Sequence, residues 1–106
     1  MALFVLLLSH SHFVYSADWQ AGKKAARVCT SCHGAKGISR VESYPSIAGQ
    51  SAQYLAKQLQ AFKTGARTDS QMTFVAQRLS EEDIINISTW YSRLPAFGGQ
   101  QLKYDE

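Results

Sequence analysis

Cys29-Thr30-Ser31-Cys32-His33 is the stretch on which the reading of this chain turns. On a helix, residues 29 and 32 share a face and residue 33 lies one turn on from 29. Two thiols so placed can add to the two vinyl groups of a haem, and the imidazole that follows lands beneath the iron as proximal ligand. The same two cysteines admit other chemistries. A redox dithiol needs a strand-to-helix turn of an α/β fold, and no segment here alternates apolar and polar residues over a useful length. A zinc site needs a second pair of ligands. A disulfide three residues long closes too small a loop to stabilise much. Covalent haem is the expectation that fits all of these constraints.

Working outward, 106 residues allow one domain. With 45% hydrophobic and 18% charged residues the chain reads as globular. A net charge of +3 is too mild for a nucleic-acid partner, which calls for a dense basic stripe. Two cysteines cannot build a disulfide scaffold. No apolar run approaches the roughly 20 residues of a transmembrane span.

The N-terminus carries an apolar run, Ala2 to Leu8, then Ser9-His10-Ser11-His12 and Phe13-Val14-Tyr15-Ser16-Ala17. This is the apolar region of a secretory signal with small residues at its end. Val14 at −3 and Ser16 at −1 suit cleavage before Ala17. A basic residue ahead of the apolar run is missing. As a membrane anchor the run is too short, because seven helical residues cover only about 10 Å. Residues 1–16 are therefore expected to be a signal peptide and 17–106 a single exported domain in the periplasm, with 97–106 as a tail. Removing 1–16 leaves one histidine, His33, and one methionine, Met72, beside Cys29 and Cys32.

The exported part reads as all-α. The first helix is expected from Asp18, a capping residue, to about Cys32, with a narrow face of small residues from Trp19, Gly22, Ala25, Ala26 and Val28-Cys29. A second runs from an N-cap at Ser51 to about Lys63, where Gly65 can end it in the left-handed conformation. A third opens with Ser80-Glu81-Glu82-Asp83, a cap followed by three acids in the first turn. It continues with a stripe of Ile84, Ile87, Tyr91 and Leu94, and Pro95 ends it. A shorter helical turn is expected near Thr73–Leu79. The loops Gly34–Gln50 and Thr64–Gln71 lie between. A domain this small with loops this long has a thin core and needs a further staple.

Haem iron has a sixth position. Met72 follows a polar loop rather than sitting in an apolar stripe, and thioether sulfur is a soft axial ligand, so Met72 is the candidate. Lysine ligation and an open site are the alternatives. A ligating histidine normally donates its other N–H to a carbonyl. Here that carbonyl should come from Gly34–Gln50, and spacing alone does not say which.

Three ordered stretches carry a family resemblance. Gly22-Lys-Lys-Ala-Ala-Arg-Val-Cys29-Thr-Ser-Cys32-His33-Gly34 resembles the first helix and haem motif of class I c-type cytochromes. Tyr44-Pro45-Ser-Ile-Ala-Gly49-Gln50-Ser-Ala-Gln-Tyr54-Leu55 resembles the proline loop and next helix of the small bacterial monohaem kind. Met72, Ala76-Gln-Arg-Leu79-Ser80-Glu-Glu-Asp83-Ile84 and Trp90-Tyr91 resemble its methionine segment and last helix. The likeness covers nearly all of 18–95 and points to cytochrome c-553 and to single halves of tandem dihaem cytochromes c. It implies a cytochrome c fold, three main helices plus a short one around one haem c held by two thioether bonds. It also implies that Pro45 supplies the carbonyl for His33, and that Gly22 lies where the first and last helices cross, against Trp90-Tyr91. Many relatives have a doubled methionine where this chain has Met72 alone, and one haem motif stands here where the tandem form has two.

The expected function is electron transfer between redox partner proteins, not catalysis, by a monomer or weak dimer. The alternative is an electron-accepting subunit of a periplasmic dehydrogenase, for example one oxidising sulfur compounds. A five-coordinate gas sensor is a third reading. Lys23, Lys24, Arg27, Lys36, Arg40, Lys57 and Lys63 give the N-terminal two-thirds most of the positive charge, which could steer docking to an acidic partner. Two ionised propionates would offset much of that charge.

Overall fold

Asp18 starts the first helix, α1 (Trp19–Ala25), by accepting hydrogen bonds at its side chain from the N–H groups of Gln20 and Ala21. The computed structural model describes residues 2–7 and 16–97. After α1 the chain tightens into 3-10 winding over Ala26–Cys29 and returns to α geometry in α2 (Thr30–His33). The single helix expected from Asp18 to Cys32 is thus broken in the middle. The Arg27 carbonyl takes two donors at the break, the backbone N–H and the hydroxyl of Thr30. A threonine that bonds back in this way bends a helix and tightens it.

The second long helix, α3 (Ala52–Thr64), has the expected ends. The Ser51 hydroxyl accepts from Tyr54 N–H, and Gly65 closes the helix at φ 85° and ψ 4°. A short α4 (Met72–Ala76) occupies the start of the turn expected at 73–79. The last helix, α5 (Glu81–Ser92), opens with a reciprocal capping box between Ser80 and Asp83. Its stripe faces inward. Ile84, Ile87 and Tyr91 are buried, and Leu94 packs against them from just beyond the helix end. No strand occurs among the described residues.

The core forms where α1, α3 and α5 meet. Ala26, Cys29, Leu55, Leu79, Ile84, Ile87 and Tyr91 make one cluster, edged by Ile47, Leu59 and Trp90. Each large member buried here contributes about 1.5–3 kcal/mol. Lys63 at the end of α3 donates to the Leu79 carbonyl and pairs with Glu81 at 3.6 Å, which ties α3 to the start of α5.

Helices α1 and α5 cross at Gly22, but not against Trp90-Tyr91. A Cβ placed on Gly22 would lie 1.9 Å from the backbone oxygen of Asn86 and 3.1 Å from the nitrogen of Ile87. The contact is one turn earlier in α5 than the resemblance implies. Trp90 instead stacks on Trp19, with ring centres 5.9 Å apart and planes 18° apart. Arg93 lies over the Trp19 ring at 4.0 Å and Lys23 over the Trp90 ring at 5.4 Å. Buried Asn86 adds a polar tie, its side-chain oxygen accepting from Asp18 N–H at 2.9 Å.

Residues 2–7 are exposed and form no helix or strand. Met1 and residues 8–15 of the stretch expected to be a signal peptide, with His10 and His12, and residues 98–106 of the tail expected at 97–106 lie outside the described residues.

The two glycines separate close approach from backbone strain. Gly22→Ala should cost about 3 kcal/mol, because the new methyl must push two backbones apart. Gly65→Ala should cost about 1 kcal/mol, because it meets no neighbour and only the left-handed conformation is penalised. Thermal unfolding followed by circular dichroism should rank them in that order.

Candidate functional site

The 3-10 segment and α2 carry Cys29, Cys32 and His33 to one side of the core, where they line a cleft of about 390 Å³. That volume falls within the roughly 300–1,000 Å³ usual for cofactor sites. Pro45 reaches the cleft from the loop before α3, and Met72 reaches it from the start of α4. All five residues singled out in the sequence therefore converge on one place. Val28, Ile47, Leu59, Phe62 and Val75 are among the apolar walls.

His33 is buried, and its Nδ1 donates to the Pro45 carbonyl at 2.7 Å. A carbonyl can only accept, so Nδ1 carries the proton and Nε2 of the neutral ring keeps its lone pair for a ligand. The loop is folded to make this possible. Ile47 and Ala48 both donate to the Gly37 carbonyl, at 2.8 and 3.0 Å, and Ser39 N–H donates to the Ser46 hydroxyl at 2.9 Å. Gly49 N–H then reaches the Tyr91 carbonyl on α5 at 3.0 Å.

The methionine side is built by a residue that sequence reasoning missed. Asp69 Oδ1 accepts from Gln71 N–H at 2.9 Å and from Met72 N–H at 2.8 Å. Thr73 answers by accepting from Asp69 N–H at 2.9 Å. The amide of Met72, then that of Gln71, holds the Asp69 carboxyl below its usual range, with Arg67 helping. A lowered value means the cap is at full strength above the ordinary carboxylate range and is lost as pH falls through the folded value. An Asp followed by acceptor-seeking amides two and three residues on is a local signal, Asp69-Ser-Gln-Met72, that was available in the sequence. Tyr44 and Gln71 were missed too. They line the cleft, and Gln71 Nε2 donates to the Tyr44 hydroxyl at 3.2 Å.

Cys29 does not have the electrostatics of a reactive thiol. Burial pushes the Cys29 thiol up to about 11. Reactive dithiols and zinc ligands need the opposite shift. Among the described residues no three His, Cys, Asp or Glu side chains gather as a metal cage. Two buried polar atoms on α5, Ser88 Oγ and Tyr91 OH, have no hydrogen-bond partner. Burial and the neighbouring Cys29 raise the Tyr91 hydroxyl further, so it stays protonated. An apolar cleft bearing two thiols, one free imidazole nitrogen, one thioether and two unpaired hydroxyls fits a large flat group with an apolar body and an iron centre.

The family described as Cytochrome c matches residues 19–94. Cytochrome c4 of Pseudomonas aeruginosa is 39% identical over 77 residues, which is 73% of this chain and 38% of that protein. A thiosulfate dehydrogenase electron acceptor of Thiomonas intermedia is 37% identical over 97 residues, 91% of this chain and 45% of that protein. The crystal structure of reduced recombinant cytochrome c4 from Pseudomonas stutzeri superposes with a TM-score of 0.71 at 34% identity. That match covers 76% of this chain and 47% of the solved one. The chain thus spans less than half the length of each of these relatives.

Asp69→Ala removes the acceptor for two amides at the edge of the cleft. Hydrogen exchange should then speed up at Gln71 and Met72 while the amides of α5 keep their protection.

Proposed function

The chain belongs to the cytochrome c family, and from that premise we propose that it carries single electrons between redox partner proteins in the periplasm. The observation that carries this reading is the convergence of Cys29, Cys32, His33 and Met72 on one apolar cleft. In it, Cys29 and Cys32 would hold one haem c by two thioether bonds, and His33 and Met72 would ligate its iron. When bound, the haem supplies the ferric/ferrous couple. The residues do the rest. Pro45 accepts the Nδ1 proton of His33, which fixes the ring plane and keeps Nε2 basic. Met72 offers a soft sulfur that raises the potential above that of two histidines. Val28, Leu59, Phe62 and Val75 keep water from the reactive face. With His33 and Met72 both on the iron, no coordination site would be left for a substrate.

Export fits the apolar leader, with residues 1–16 as the signal peptide and cleavage before Ala17. No helix among the described residues is long and apolar enough to cross a membrane. We take the working form to be a monomer or weak dimer. A second reading differs only in the partner. The likeness to the Thiomonas intermedia electron acceptor, over 91% of this chain, supports service as the electron-accepting subunit of a sulfur-compound dehydrogenase.

A reduced-minus-oxidised spectrum of the exported protein should show the narrow bands of a low-spin c-type haem. Met72→Ala should lower the potential and open the iron to CO while the haem stays covalently bound. An unchanged potential would remove Met72 from the ligand set. Cys32→Ala should impair covalent haem attachment and folding together, and a stably folded haem-free protein would show that the group is not part of the core.

A further inference from the structure

We propose that the hydrogen bond from Gln71 Nε2 to the Tyr44 hydroxyl is a latch that holds the Met72 segment closed over the cleft, which makes Gln71 and Tyr44 positioning residues for the sixth ligand. The inference rests on the reading of Met72 as that ligand. Tyr44 is joined to Pro45, whose carbonyl orients His33, and Gln71 is joined to Met72. One side-chain contact at 3.2 Å therefore ties the loop behind one axial ligand to the loop bearing the other.

No other hydrogen bond among the described residues does this. Asp69 stiffens the segment from within, through bonds to Gln71, Met72 and Thr73, and makes no hydrogen bond to the rest of the described residues. Arg67 anchors the start of the segment on α3, by its N–H to the Ala61 carbonyl at 3.0 Å and its guanidinium to Gln58 at 2.8 Å. Among the described residues, Gln71 to Tyr44 is the one hydrogen bond from residues 64–79 to residues 17–50. The Asp69 cap makes the latch effective. It fixes the backbone of Gln71, so the amide is presented to Tyr44 at little further entropic cost. Tyr44 is half-buried against the cleft while Gln71 is exposed, so the bond can open without disturbing the core.

Opening would release Met72 from its ligating position and let an added ligand in. Imidazole is the probe, because it binds ferric haem only where the methionine has left. Tyr44→Phe and Gln71→Ala each delete the bond, and Tyr44→Phe keeps the ring. Each should bind imidazole about three- to tenfold more tightly than the wild type, the range expected for one hydrogen bond. The double variant should gain no more than either single one, since the two changes remove the same contact. The near-infrared sulfur-to-iron charge-transfer band should weaken in parallel, whereas covalent haem content should not change. Met72→Ala is the control for the underlying reading and should abolish the band. If it does so while both single variants bind imidazole as the wild type does, or while their effects multiply, the latch alone is overturned. If Met72→Ala keeps the band and the wild-type imidazole affinity, the ligand assignment falls and the latch falls with it.

Discussion

The close crossing of α1 and α5 is the contact on which the remaining architecture hangs. Gly22 lets the Asn86 backbone come within reach of α1, Asn86 ties the N–H of Asp18, and Trp19 stacks on Trp90 one turn away. That seam closes one side of the molecule and leaves the other open. Ala26, Leu55, Ile84, Ile87 and Tyr91 fill the ground between the three long elements but do not fill the cleft beyond. A side chain larger than glycine at the crossing would spread the helices and widen the place where Cys29 and His33 are presented.

The parts of the fold that were legible in the sequence are those whose cause is local. Asp18, Ser51 and Ser80 cap amides two or three residues away, and Gly65 ends a helix through its own backbone. The stripe of Ile84, Ile87 and Tyr91 is a periodicity, and periodicity survives without a structure. What escaped depends on partners far along the chain. The 3-10 break serves packing as well as local bonding, since Ala26 and Cys29 are its buried members. Asn86 looks like an ordinary polar residue off the stripe until Asp18 is seen beside it, 68 positions away. The turn of α5 that meets Gly22 is set by how the helices lean, which no spacing encodes.

The site divides in the same way. The cysteine pair and His33 announce themselves by sequence spacing, and Met72 by being the one methionine besides Met1. Pro45 needed the family likeness, and its carbonyl lies 2.7 Å from His33 Nδ1. Asp69 had a readable turn pattern that drew no notice, whereas Tyr44 and Gln71 join loops 27 residues apart and left no local trace. The charge pattern also changes meaning in three dimensions. Lys63 is spent on Leu79 and Glu81, and Lys23 lies over Trp90, so two of the cations counted toward a docking field have partners within the chain.

The paired indoles have an optical consequence. The chain has only two tryptophans, and both sit in the one stack between Arg93 and Lys23. Intrinsic fluorescence therefore samples a single locus, the seam between the terminal helices. A haem in the cleft would quench that emission in the folded protein, so a titration followed by it would register the seam moving away from the haem and would be nearly blind to motion of the Met72 segment. Comparing it with an absorbance signal from the cleft would time the two events against each other, with no probe added to the protein.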